Sequence, residues 1–117
     1  MKLKLSQIVE SFEAIKRVGN EKMPIKTAWN IQRNMRLIAP EFDAWEEKRA
    51  ELIKNKYGAK DEKGNFLVTP NNMNVFREEM KTLGDVEIEL DIQTIPMDDF
   101  KADISPTDLM ALEWMFK

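Results

Sequence analysis

The sequence predicts an α+β fold, mainly helical, and three observations predict it. Apolar residues recur every third or fourth position over most of the chain. The rhythm switches to strict alternation between residues 85 and 93. Clusters of Gly, Asn, Asp and Pro punctuate the segments between. The expected architecture is three to four helices, including a kinked long helix (about 24–57), packed on a small antiparallel β-hairpin or sheet (about 65–69 and 85–93), with a C-terminal helix at 106–116. A length of 117 residues suits a single domain, 1–117, with room for one core.

Residues 6–18 predict an amphipathic helix. Ser6 can cap it, Ile8, Phe12 and Ile15 share a face, and Gly19-Asn20 offers a left-handed stop. A second helix is expected to start near Pro24, whose missing N–H costs nothing in a first turn. Ala28, Ile31, Met35 and Ile38 carry its stripe, and the phase resumes beyond Pro40 with Phe42, Trp45 and Leu52. An interior proline removes one backbone bond and crowds the preceding turn. Either one kinked helix or two helices meeting at a corner would fit. The unbroken phase favours the kink and predicts that Trp45 is largely buried. Tyr57-Gly58 ends the segment.

Asp61-Glu62-Lys63-Gly64-Asn65 reads as a turn leading into a strand at Phe66-Leu67-Val68. It lacks the later bidentate carboxylate of a calcium loop, so a solvated turn is expected. Asn71 or Asn72 can cap a third helix with Met73, Phe76, Met80 and Leu83 on one face and Gly84 as its stop. Val86, Ile88, Leu90 and Ile92 then alternate with Glu87, Glu89 and Asp91, a strand with one wet face, for which residues 65–68 are the expected partner. Ser105-Pro106-Thr107-Asp108 is a helix-start signature: a capping Ser, Pro in the first turn, and an acid at the positive end of the dipole.

Composition narrows function by exclusion. The chain has no Cys and no His. That removes disulfides, thiolate nucleophiles, zinc sites with nitrogen or sulfur ligands, and the side chain that most often moves protons near neutral pH. A non-enzymatic protein is expected, with no cofactor and no metal. No apolar run is long enough to span a bilayer, and the charged opening lacks a hydrophobic region after it, so a cytoplasmic protein without a signal peptide is expected. The net charge of −3 hides an asymmetry. Residues 1–60 hold 13 Lys/Arg against 8 Asp/Glu, whereas residues 61–117 hold 5 against 13.

Several segments occur in a suggestive order: Met1-Lys2-Leu3-Lys4, Met23-Pro24-Ile25-Lys26, Lys56-Tyr57-Gly58 with the turn at 61–65, then the acidic alternating strand leading into Ile104-Ser105-Pro106-Thr107-Asp108-Leu109-Met110-Ala111-Leu112-Glu113. In this the chain resembles a family of small uncharacterised proteins encoded in phages and prophages of Gram-positive bacteria. The resemblance implies a phage or prophage origin and a one-domain chain. It implies no catalytic residue.

Two functions from different classes follow. The first is an interaction or accessory protein that binds another protein, in virion assembly or against a host factor, or that self-associates. The candidate contact residues are Met110 and Trp114, which lie on the far side of the last helix from Leu109, Leu112, Met115 and Phe116. The alternative is a nucleic-acid-binding protein using the basic half. Lys22, Lys26 and Arg33 share a face opposite Ala28, Ile31 and Met35, with Arg36 near its edge. Acidic overall charge and the lack of aromatics interleaved with those cations argue against the alternative.

Overall fold

The structure is a computed structural model describing residues 1–117. At its centre lies α1 (Leu5–Val18), whose Leu5, Ile8, Phe12, Ile15 and Val18 are all buried. Burying each such side chain stabilises by about 1.5–3 kcal/mol, which a short helix needs because it is marginal alone. Lys4, rather than Ser6, precedes the helix, and its N–H donates to Gln7 Oε1 at 2.8 Å. The helix start is displaced because residues just before it are paired. Gly19 keeps a right-handed conformation (φ −63°) and donates to the Ile15 carbonyl at 2.7 Å, so the expected left-handed stop does not form.

The pairing explains itself by charge. β1 (Lys2–Lys4) runs antiparallel to β4 (Glu87–Glu89), with Lys2 opposite Glu89, Leu3 opposite Ile88 and Lys4 opposite Glu87. Opposite charges meet on the wet face and apolar residues on the inner one, each pair favourable. Residues 65–68 therefore do not partner the acidic strand. Instead β3 (Phe66–Val68) folds back on β2 (Gly58–Lys60) as a separate hairpin. Its turn is held by the Asp61 carboxylate, which accepts the N–H groups of Lys63 and Asn65 at 2.9 and 2.8 Å, with Gly64 at φ +84°. That conformation suits glycine.

α2 (Ile25–Leu52) is one helix of 28 residues, continued by a π-helical turn at Ile53–Tyr57. It passes through Pro40 without a corner. Pro40 lies on the exposed side, where water can take the bond its ring removes. Pro24 stands just outside the first turn, and Thr27 Oγ1 donates to the Asp99 carbonyl at 3.0 Å to anchor that end. The buried residues are Thr27, Ile31, Asn34, Ile38 and Phe42; Ala28 is exposed and Trp45 is only half-buried. Phe42 stacks on Phe12 at 4.2 Å, with Trp45 tilted beyond it at 5.8 Å.

α3 (Met73–Gly84) follows a 3-10 turn at Pro70–Asn72. Asn72 does not cap it; the Asn72 amide donates to the Tyr57 carbonyl at 3.1 Å, tying α3 to the end of the long helix. Gly84 lies inside the helix, close to Ser6, so a small residue there serves the packing of α3 on α1. The main core joins α1, α2, Leu3 and the tail residues Ile95, Leu112 and Met115, and a satellite cluster of Ile53, Tyr57 and Phe76 lies under the hairpin.

After β4 the chain is extended and bonds by side chain. The fully buried Asn34 donates Nδ2–H to the Gln93 carbonyl at 2.9 Å and accepts the Gln93 N–H at 2.8 Å. α4 (Pro106–Ala111) is shorter than expected, giving way to a 3-10 turn at Glu113–Met115. The Met115 carbonyl accepts the Ile95 N–H at 2.8 Å, and the Lys117 N–H donates to the Ile95 carbonyl at 3.0 Å. Those bonds replace the last helical turn. No helix is long and apolar enough to cross a membrane.

Candidate functional site

The first half of α2 presents an outward face with nothing packed on it. Ile25 is 88% exposed and Trp29 is 54% exposed. At about 100° per residue, Ile25, Trp29 and Arg36 fall within about 40° of one another, and Arg33 and Lys26 extend the sector to about 100°. All five are exposed, as is Pro40 at the end of the row. The opposite side carries Thr27, Ile31, Asn34 and Ile38, so packing against α1 and Gln93 fixes which face looks outward.

Electrostatics single out the same face. Between Lys22 and Pro40 the chain holds four cations and no carboxylate. None of Lys22, Lys26, Arg33 and Arg36 enters an ion pair, whereas Lys4, Arg17, Lys48 and Lys56 do. Lys22 lies in the turn before α2, so it flanks the face rather than sharing the helix. An exposed Trp stands among unpaired arginines, which places an aromatic within the basic set after all. Sequence phase carried a signal for it: positions 25 and 29 fall off the stripe of Ile31, Met35 and Ile38, so two large apolar residues had no core to enter.

The C-terminal candidates divide. Met110 is 75% exposed. Trp114 is half-buried, and its indole N–H donates to Ser11 Oγ at 2.6 Å. Ser11 is wholly buried in α1, and its hydroxyl donates in turn to the Gln7 carbonyl. Both residues border a shallow depression between α1 and α4 with Gln7 and Glu10. Trp114 thus has work inside the fold, and Met110 alone is fully presented.

Beneath them, Ser105 Oγ accepts the Asp108 N–H at 3.1 Å, and Arg17 clamps the Asp108 carboxylate through Nη2 at 2.6 Å and Nε at 3.0 Å. The Arg17 hydrogen bonds hold the Asp108 carboxyl below the usual range, against the opposing effect of burial. This forked pair locks α4 to α1. The acidic row at Glu87 and Glu89 faces Lys2 and Lys4 across the strands, and no three acidic side chains converge where an ion could be held. No family model, characterised protein or solved structure matches the chain.

Proposed function

We propose that this chain is a non-enzymatic interaction protein of phage or prophage origin, acting in the host cytoplasm or on the virion. It docks on another protein through the outward face of α2. The observation that carries the reading is the exposure of Ile25 and Trp29 among cations that have no partner within the chain. Trp and Arg are the residue types that most often dominate a protein interface, and an exposed Trp ringed by them supplies both the apolar anchor and the polar rim. The unpaired charges favour a partner with an acidic surface.

Trp29 among Lys26, Arg33 and Arg36 also supports a second reading, a base stacking on the indole with phosphates on the cations. The net charge of −3 weighs against it, since long-range attraction to nucleic acid would be weak.

Affinity capture from a Gram-positive host separates the two. The wild-type chain is expected to retain a discrete protein that Trp29→Ala and Arg33→Glu lose and Met110→Ala keeps. Capture abolished by nuclease would favour the second reading. Identical capture by wild type and both α2 variants would overturn the assignment of the face.

A further inference from the structure

A different part of the molecule lacks cover. The second half of α2 has no buried residue from Asp43 to Leu52, and α3 buries only Phe76 and Gly84. The end of the long helix and α3 are joined near the hairpin, by the Asn72–Tyr57 hydrogen bond, the Tyr57–Phe76 contact and an ion pair from Lys56 Nζ to Glu79 Oε1 at 3.0 Å. Between them runs an open groove of about 570 Å³ with Leu52, Val75, Leu83 and Val86 along its apolar floor. Val75 and Val86 are each about half exposed. Beneath it the satellite core holds only three buried residues, too few for this end to be well covered.

The whole molecule shows the same deficit. Its Cα radius of gyration is 16.8 Å with extents of 48 × 29 × 23 Å. A compact chain of this length has a radius near 13 Å. It exposes 7964 Å². Monomers of its mass expose about 6,600 Å². The excess of about 1,400 Å² exceeds the ~800 Å² that one partner contributes to a standard stable interface.

The walls of the groove say what covers it. Lys48 of α2 and Lys56 of the π-helical turn stand on one wall, Glu78 and Glu79 on the other; Lys56 is bonded to Glu79 within the chain and Lys48 lies 3.7 Å from Glu51, whereas Glu78 has no ion pair. A second copy turned about a two-fold axis along the groove lays its lysine wall over the glutamate wall of the first, and the reverse, in one self-complementary contact. A two-fold axis across the groove would set lysines on lysines. We propose that two copies of this chain associate groove to groove, closing the two helix pairs into a four-helix layer around Leu52, Val75, Leu83 and Val86. Helix pairs with apolar grooves bury them together in this way. The surface is separate from the outward face of Ile25 and Trp29, so the dimer leaves that face free on both copies.

Sedimentation of the full chain across micromolar concentrations tests this. The wild type is expected at about twice the 13.7 kDa chain mass. Val75→Glu, at an exposed position, should raise the dimer dissociation constant at least tenfold with an unchanged far-ultraviolet circular dichroism spectrum. Lys48→Glu and Glu78→Lys should each weaken the dimer, and the double variant should recover it. A wild-type chain that stays at the monomer mass overturns the proposal. So does a dimer indifferent to Val75→Glu, which would lie on another face, and so does failure of the double charge reversal to recover association.

Discussion

Asn34 ties the extended segment after β4 to α2, and replacing it tests how that segment is held. Asn34→Ala removes two hydrogen bonds, one in each direction, to the backbone of Gln93. Each contributes about 0.5–1.5 kcal/mol net, and the orphaned Gln93 N–H and carbonyl add a desolvation penalty wherever water cannot reach them. Because Asn34 is wholly buried and Gln93 only half so, the sum is about 2–4 kcal/mol. At about 2.1 cal/mol/K per residue, 117 residues give an unfolding entropy near 0.25 kcal/mol/K, so the melting temperature should fall by about 8–16 °C. Urea denaturation with an unchanged slope is the check. Asn34→Asp sharpens it: the carboxylate still accepts the Gln93 N–H but offers no donor to the Gln93 carbonyl, so it should cost at least as much at neutral pH. A loss below about 0.5 kcal/mol for Asn34→Ala would show that the 90–95 segment is held by something other than this amide.

Three further outcomes follow from the packing. Gly58→Ala should cost about 1–3 kcal/mol in urea denaturation, because an added Cβ would run into the Ile53 carbonyl oxygen and lie 2.8 Å from that of Leu67; a neutral result would mean the hairpin shifts freely. The Arg17 hydrogen bonds depress the Asp108 pKa on folding, so their contribution is complete above the unfolded carboxylate value near 4 and is lost as pH falls through the depressed folded value. Asp108→Asn should therefore flatten the acid side of the stability profile measured by urea midpoint, and an unchanged slope would deny the coupling. Trp114→Phe should cost about 1 kcal/mol by losing the bond to Ser11, read as a lower melting temperature without change in sedimentation; a change in association alone would return Trp114 to the contact surface.

Helices and their order were legible because burial imposes a period; the helix continues through Pro40, which faces water, but its buried stripe ends at Phe42, which leaves Trp45 and Leu52 half-buried where the phase predicted a buried Trp45. The sheet was legible only in part. Alternation at 86–92 marked a strand, but its partner was decided by Lys2-Leu3-Lys4 matching Glu87-Ile88-Glu89 in charge and polarity. Three residues are too few for periodicity to register. Caps misled for two reasons: the Asn72 side chain bonds to Tyr57 instead, and the strand at Lys2–Lys4 runs straight into a helix that starts at Leu5, which leaves Ser6 inside it. The last helix ended early because backbone pairing with Ile95 won over helical continuation. The basic residues of the α2 face were readable from charge; the exposure of Trp29 was hidden by placing Ala28 in the core stripe, which the burial of Thr27 and Asn34 corrects.

The claim that the outward face of α2 is the docking surface is tested most directly by photocrosslinking in living cells. A benzophenone amino acid placed at position 25 sits on the most exposed large apolar site of the chain and leaves the core untouched. The account predicts crosslinks to one discrete protein from position 25, suppressed when Trp29→Ala is added, and few or none from the same probe at Leu67 on the remote hairpin. Equal crosslinking from positions 25 and 67, or products that are nucleic acid rather than protein, would contradict it.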